Sequence, residues 1–162
     1  MSTTSYAGNV HNEVSCLADN IYWEARNQST RGMIAVANVT RNRVRSLHWP
    51  DNYCDVIKEG PVRESWKTRK DPSLPDSERI YFPKRDKCQF SWYCDGKSDV
   101  IPKQDANIYE LSRAIAFKII HGDFYDNTGG STHYHADYVN PDWANHMEQT
   151  FVIGNHIFYK FP

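Results

Sequence analysis

The chain carries almost no net charge. Its 19 lysines and arginines face 20 aspartates and glutamates, a formal −1 over 162 residues, so no global field draws it to nucleic acid or to an anionic membrane. It contains no apolar run near the ~20 residues a membrane-spanning helix requires, and no membrane insertion is expected. The opening MSTTSYAGNVHNE has no basic stretch followed by an apolar one. It does not read as a secretory signal, so synthesis in the cytoplasm is expected. No two cysteines stand at C-x-x-C spacing, which speaks against a structural zinc site. No G-x-S-x-G surrounds a serine, so Ser91 is poorly supported as a nucleophile. Repeats and low-complexity segments are absent.

The length suits one domain able to bury roughly two-thirds of its unfolded surface. Aromatic residues make up 14% of the chain, and tyrosine and tryptophan offer flat faces with a polar tip, suited to sugars and to ordinary cores alike. Cys16, Cys54, Cys88 and Cys94 allow two disulfides in three pairings, or four buried thiols. Cys88 and Cys94 flank a short loop-like segment, whereas Cys16 sits where a helix would use it for core packing.

Residues 1–11 are polar and are expected to form a flexible arm, with a single catalytic domain over 12–162. A first helix is expected from Asn12, as N-cap, to Arg26. Ser29 or Thr30 should cap a second helix ending near Val44, with Met33, Val36, Ala37, Thr40 and Val44 inside. Arg41, Asn42, Arg43 and Arg45 near its end match the helix dipole and read as a solvated terminus. A short helix follows over 52–58. Residues 58–87 hold nine Lys/Arg against six Asp/Glu, with Pro61, Pro72, Pro75 and Pro83; they read as an irregular insertion, either a lobe over a binding cleft or a solvated loop. A further helix should start at Asp105, carry Ile108, Leu111, Ile115 and Ile119 on one stripe, and stop at Gly122. The last third, STHYHADYV and TFVIGNHIFYKF, is rich in β-formers, and Gly154–Asn155 is a tight-hairpin signal. The class is α+β, a helical part followed by a small antiparallel sheet.

Three constellations carry possible chemistry. Val14, Leu17, Ala18 and Ile21 recur at helical spacing, and the next position on that stripe is Glu24. A carboxyl on an inward face loses water, which raises its pKa, as a general acid near neutral pH requires. The same residue could simply pair with Arg43 or lie at the helix edge. His133 and His135 alternate on one strand face, with Asp137 in phase, as a metal pair or as hydrogen-bonded histidines beside a polar cleft. Gln89, Phe90, Ser91, Trp92 and Tyr93 combine amide, hydroxyl and aromatic groups, which suits sugar binding or a buried aromatic wedge.

Taken in order, CLADNIYWEARNQSTRGMIAVANVTRNRV, CDVI, CQFSWYCDG, STHYHADYVNPDWA and IGNHIFY resemble the SleB-type cell wall hydrolases, which include spore-cortex-lytic enzymes and phage endolysins. The resemblance runs from about Cys16 to Tyr159. It implies a fold like lysozymes and lytic transglycosylases, with a helical lobe and a small antiparallel β-lobe around a glycan cleft. It implies cleavage of the β-1,4 bond between N-acetylmuramic acid and N-acetylglucosamine, with no metal and no cofactor. The catalytic glutamate of the family's Y-x-E-A-R motif falls on Glu24. The Q-F-S segment falls on Gln89, Phe90 and Ser91, beside Trp92, and the T-H-Y-H segment on Thr132, His133, Tyr134 and His135, which would line the cleft. One departure stands out: relatives often have Gly-Glu after E-A-R, where this chain has Asn27–Gln28. With no convincing second carboxylate, a one-glutamate lytic transglycosylase is expected before a two-carboxylate muramidase. Competing readings are a zinc amidase built on His133, His135 and Asp137, and a non-catalytic glycan-binding module. As a phage endolysin the protein would act on the wall as a monomer, released by a separate membrane-permeabilising protein.

Overall fold

A computed structural model of the chain describes residues 3–162, with side chains from residue 9 onward. In chain order its helices and strands are α1 (Thr3–Ala25), α2 (Thr30–Val44), α3 (Tyr53–Ile57), β1 (Val62–Glu64), α4 (Trp66–Arg69), β2 (Tyr81–Pro83), α5 (Ala106–Ile120), β3 (His133–Ala136), β4 (Glu148–Ile153) and β5 (His156–Lys160). The chain divides into two compact units, one of residues 1–57 and 101–162, the other of residues 58–100. Among the described residues no helix is long and apolar enough to cross a membrane.

In the larger unit α1 packs against α2, α3 and α5. The inward stripe is as the spacing dictates: Val14, Leu17, Ala18 and Ile21 are all buried. The helix begins at Thr3, however, so Asn12 lies within it and caps nothing. A disulfide between Cys16 and Cys54 ties α1 to α3, so Cys16 is a cross-link as well as a packed side chain. Helix α2 has the expected bounds. Ser29 is its N-cap and accepts a hydrogen bond from the Gly32 backbone at 3.2 Å, satisfying one amide that the first turn leaves open.

Arg45 is exposed, as a solvated terminus requires, but two arginines before it differ from expectation. Arg41 and Arg43 are each only 3% exposed. Arg41 Nη1 donates to the Phe124 carbonyl at 2.9 Å, and Arg43 Nε to the Thr132 carbonyl at 2.7 Å. Asn38 and Asn42 donate to Tyr125 O and Ser131 O on the same stretch. One face of α2 thus supplies the donors that an irregular segment, 124–132, cannot find within itself. Dipole matching alone did not distinguish a solvated terminus from a buried tether.

Asp105 occupies the N-cap position of α5 but makes no capping bond. Its carboxylate accepts from the Tyr22 hydroxyl at 2.5 Å instead, while Tyr109 donates to Asp19 at 2.7 Å, so α1 and α5 are joined by two tyrosine–aspartate bonds. Burial with the Asp19 bond pushes the Tyr109 phenol up to about 12. The inner face of α5 carries Ser112, Ile115, Ala116 and Ile119, and Leu111 is exposed. The helix ends at His121, with Gly122 at positive φ beyond it.

Strands β3, β5 and β4 form an antiparallel sheet in that order, joined at the Gly154–Asn155 turn between β4 and β5. Ile153 and Phe158 close a buried cluster with Ala35 and Val39 of α2, and Tyr134 packs on it.

The smaller unit holds a two-stranded ribbon in which Arg63 faces Phe82 across β1 and β2. A second disulfide, Cys88–Cys94, clips the Gln89–Tyr93 segment into a tight loop. The prolines limit the unit to short elements, but the segment is more organised than a solvated loop.

Candidate active site

Glu24 lies one residue before the end of α1. It keeps part of its surface open, yet the surrounding protein strips enough water from the carboxyl to raise its pKa. Desolvation is the largest influence. The hydrogen bond from Tyr134 and the charge of Arg43 oppose it by favouring the carboxylate, and they do not overcome it.

Tyr134 reaches Glu24 because of strand register. On β3 it faces Phe158, and its ring lies 5.0 Å from His156 and 5.6 Å from Phe158. This is the face that packs on α2. From there the Tyr134 hydroxyl donates to Glu24 Oε2 at 2.7 Å. Burial and the neighbouring carboxyl hold the phenol well above its usual pKa, so it remains a donor. The bond engages one of the two carboxyl oxygens, Oε2.

His133 and His135 point to the opposite face of β3. His133 meets Trp49, Trp143 and Phe161 at ring separations of 5.2–5.9 Å. Burial, with the charge of Arg43, brings its pKa down to about 4, so the ring is neutral at neutral pH. Thr132, which is buried, shares a 3.0 Å hydrogen bond with His133 Nδ1. His135 stacks on Tyr159 and lies 5.7 Å from Trp143. Its Nδ1 donates to the Ala136 carbonyl at 2.7 Å, which can only accept, so in the neutral ring Nε2 accepts from the Tyr159 hydroxyl at 2.9 Å. Both nitrogens of His135 are committed to protein partners. Among the described residues no group of three His, Cys, Asp or Glu converges as a metal-holding set. Trp143, which the alternation on β3 did not point to, is the ring that spans both histidines.

Gln89, Phe90, Ser91 and Trp92 belong to the smaller unit. Phe90 is buried, Trp92 is half-buried, and Gln89 and Ser91 are exposed on either side of Phe90. Wedge and polar edge thus coexist in one segment.

Gln28, where the chain departs from the pattern it resembles, is built into the hairpin. Its Oε1 accepts from the Asn155 backbone at 3.3 Å and fills the space that a Cβ on Gly154 would need. The residue links the α1–α2 connector to the β4–β5 turn, and Gly154, at φ +57°, leaves the room for it.

A helix-borne carboxyl with a raised pKa, hydrogen-bonded by a phenol, stands at the end of α1 on an α+β scaffold. The chain belongs to the cell wall hydrolase family, whose model matches residues 27–159. Glu24 lies just before that span. A spore cortex-lytic enzyme of Halalkalibacterium halodurans is 28% identical over 158 residues, covering 97% of this chain. The chain spans 37% of that relative's length. Among solved structures, the catalytic domain of the germination-specific lytic transglycosylase SleB from Bacillus anthracis matches with a TM-score of 0.61 at 25% identity, covering 92% of this chain and 94% of that one. The catalytic domain of the Bacillus cereus SleB protein matches equally well, at the same identity, over 93% and 91%. The fold is that of these SleB domains.

Proposed function

We propose that this protein is a peptidoglycan lytic transglycosylase that cleaves the β-1,4 bond between N-acetylmuramic acid and N-acetylglucosamine, with Glu24 as its acid and base. The observation that carries this reading is the carboxyl of Glu24, with its raised pKa and its bond from Tyr134. Glu24 donates its proton to the bridging oxygen as the muramic C1–O bond breaks. The acetamide oxygen of the muramic residue closes on C1 and shares the positive charge. The Glu24 carboxylate then takes the proton of the C6 hydroxyl as O6 bonds to C1 and the acetamide oxygen–C1 bond breaks, releasing a 1,6-anhydro sugar with its acetamide restored. No water is consumed, and Glu24 ends protonated as it began. Tyr134 donates most strongly while Glu24 is a carboxylate, so it stabilises the state that follows proton transfer.

A two-carboxylate hydrolase would need a second acid about 5–5.5 Å or 6.5–9.5 Å away. At position 28 this chain carries Gln28, which serves the hairpin. Thr132, His133 and His135 are proposed to shape the outer side of β3, and Gln89, Phe90, Ser91 and Trp92 to contribute glycan contacts from the smaller unit. As its biological setting we propose a phage-type endolysin acting as a monomer, freed to reach the wall by a separate membrane-permeabilising protein.

Mass spectrometry of peptidoglycan digested with the purified protein tests the reaction. Anhydromuramic ends, lighter than the hydrolytic product by one water, are expected; reducing ends carrying an added water would replace transglycosylation by hydrolysis. Tyr134→Phe tests the phenol. Removing a hydrogen bond to a group that becomes charged lowers kcat about ten- to a hundredfold. Since that bond lowers the Glu24 pKa, its loss should also move the alkaline limb of the pH–rate profile upward. A profile unchanged in position and height would remove Tyr134 from the chemistry.

A further inference from the structure

The smaller unit displays large apolar side chains that a chain this small has reason to bury. Trp66 is 59% exposed, Phe82 46% and Ile80 49%. Exposed apolar surface forgoes the stabilisation that burial would give, and a contiguous patch of it marks an interaction surface. Here the patch is concave. Arg63, Ser65, Trp66, Lys67, Ile80 and Phe82 line a groove of about 380 Å³.

Its charge has one sign. Arg63 and Lys67 are both exposed, and neither forms an ion pair among the described residues. The acidic residue between them in sequence is turned away: Glu64 accepts from Arg79 at 3.1 Å and from the Thr68 hydroxyl at 2.9 Å, and its side chain is largely covered. Strand alternation explains the sorting, since Arg63 and Phe82 are cross-strand partners on one face and Glu64 points to the other. One of the two groove cations, Arg63, is held over a ring. Arg63 lies 6.0 Å from the Phe82 centroid, and Lys70 approaches Trp66 from outside the groove at 4.9 Å. An indole for stacking and two cations without an ion-pair partner among the described residues form a receptor for a ligand that is flat or apolar along one side and carboxylated along the other.

We propose that this groove binds the acidic peptide stem of peptidoglycan together with its attached sugar, the ring resting on Trp66 and the stem carboxylates on Arg63 and Lys67. The proposal rests on peptidoglycan being the substrate. It gives the smaller unit a task separate from bond cleavage: holding the enzyme on peptide-bearing stretches of the wall.

The test measures dissociation constants by Trp fluorescence for a soluble disaccharide–peptide muropeptide, an uncharged N-acetylglucosamine oligomer and a single-stranded oligonucleotide. Wild type, Arg63→Ala/Lys67→Ala, Arg63→Lys and Trp66→Phe are compared, with circular dichroism confirming their folds. The double variant should bind the muropeptide about tenfold more weakly, and raising salt from about 50 to 500 mM should weaken the wild type more than the variant. Arg63→Lys should retain most of the affinity, and the uncharged oligomer should bind the double variant and wild type alike. Cleavage of isolated sacculi by the wild type is measured in parallel, so that the groove and the reaction are tested separately. Muropeptide affinity unaffected by the double substitution would overturn the proposal, as would oligonucleotide binding that is the tighter of the two and is lost in that variant. Sacculi left uncut by the wild type would overturn the proposed function instead.

Discussion

Glu24→Gln is expected to lower peptidoglycan cleavage by about 10²–10⁴-fold while leaving the protein at least as stable as wild type. The two halves of this result have one cause. Glutamine keeps the shape of the side chain and still accepts the Tyr134 hydrogen bond, but it has no proton to give. The folded state raises the Glu24 pKa by desolvation. Between the unfolded pKa, near 4.3, and the raised folded value, the native protein therefore holds more protons than the unfolded chain. Stability contributed by this group is fully present below the unfolded pKa and is lost as pH rises through the folded one. An amide at this position does not titrate, so thermal unfolding midpoints of wild type and variant should coincide in acid and diverge in the variant's favour toward neutral pH. A folded variant retaining more than a few per cent of activity would exclude Glu24 as the acid, and a midpoint lowered at neutral pH would contradict its desolvation.

Removing the Cys16–Cys54 bridge should produce the larger effect on stability. The bond closes a loop with a sequence separation of 38, and chain-entropy arguments assign such a loop about 4 kcal/mol. For a domain of this size that corresponds to a fall of roughly 10 °C in the unfolding midpoint. Both sulfurs are buried where α1 meets α3, so Cys16→Ala/Cys54→Ala isolates the cross-link better than serine, which would bury a hydroxyl. Cys88–Cys94, with a separation of only 6, should contribute about 2 kcal/mol. Calorimetry of the two double variants, with and without reductant, checks the order: reductant should lower the midpoint of wild type most and that of Cys16→Ala/Cys54→Ala least. Equal losses from the two bridges would show that loop length is not what sets their worth.

These results bear on how a carboxylate comes to sit at the end of a core-facing stripe. An isolated helix offers no reason for Glu24 to follow Val14, Leu17, Ala18 and Ile21. The tertiary partner supplies it, because Tyr134 satisfies one oxygen from a strand 110 residues away. Arg43 favours the Glu24 carboxylate through its charge and donates from Nε to the Thr132 carbonyl. That bond fixes the start of β3, and through β3 the position of Tyr134. The arginine therefore supports the site from behind, holding the strand that holds the phenol.

The local signals in the sequence determined whatever depends on neighbours a few residues apart. The extent and capping of α2, the hydrophobic stripe of α1, the stop after α5 and the Gly154–Asn155 hairpin all follow from side-chain spacing and backbone preference, which act within a turn or two. The inward address of Glu24 came from the same periodicity. Tertiary structure decided the rest, because each remaining question concerned groups distant in sequence. Four cysteines permit three pairings, and only the approach of α1 to α3 selects Cys16–Cys54. Alternation told that His133 and His135 share a face and Tyr134 takes the other, but not which face meets the helices; packing of Ile153 and Phe158 on α2 put the tyrosine against Glu24 and the histidines under Trp143. Arg41 and Arg43 read as solvated from dipole matching alone, whereas the carbonyls of residues 124–132 take their donors in the fold. The proton chemistry proposed for Glu24 thus rests on a contact no local pattern encodes, since a carboxyl's pKa is set by what surrounds it in space.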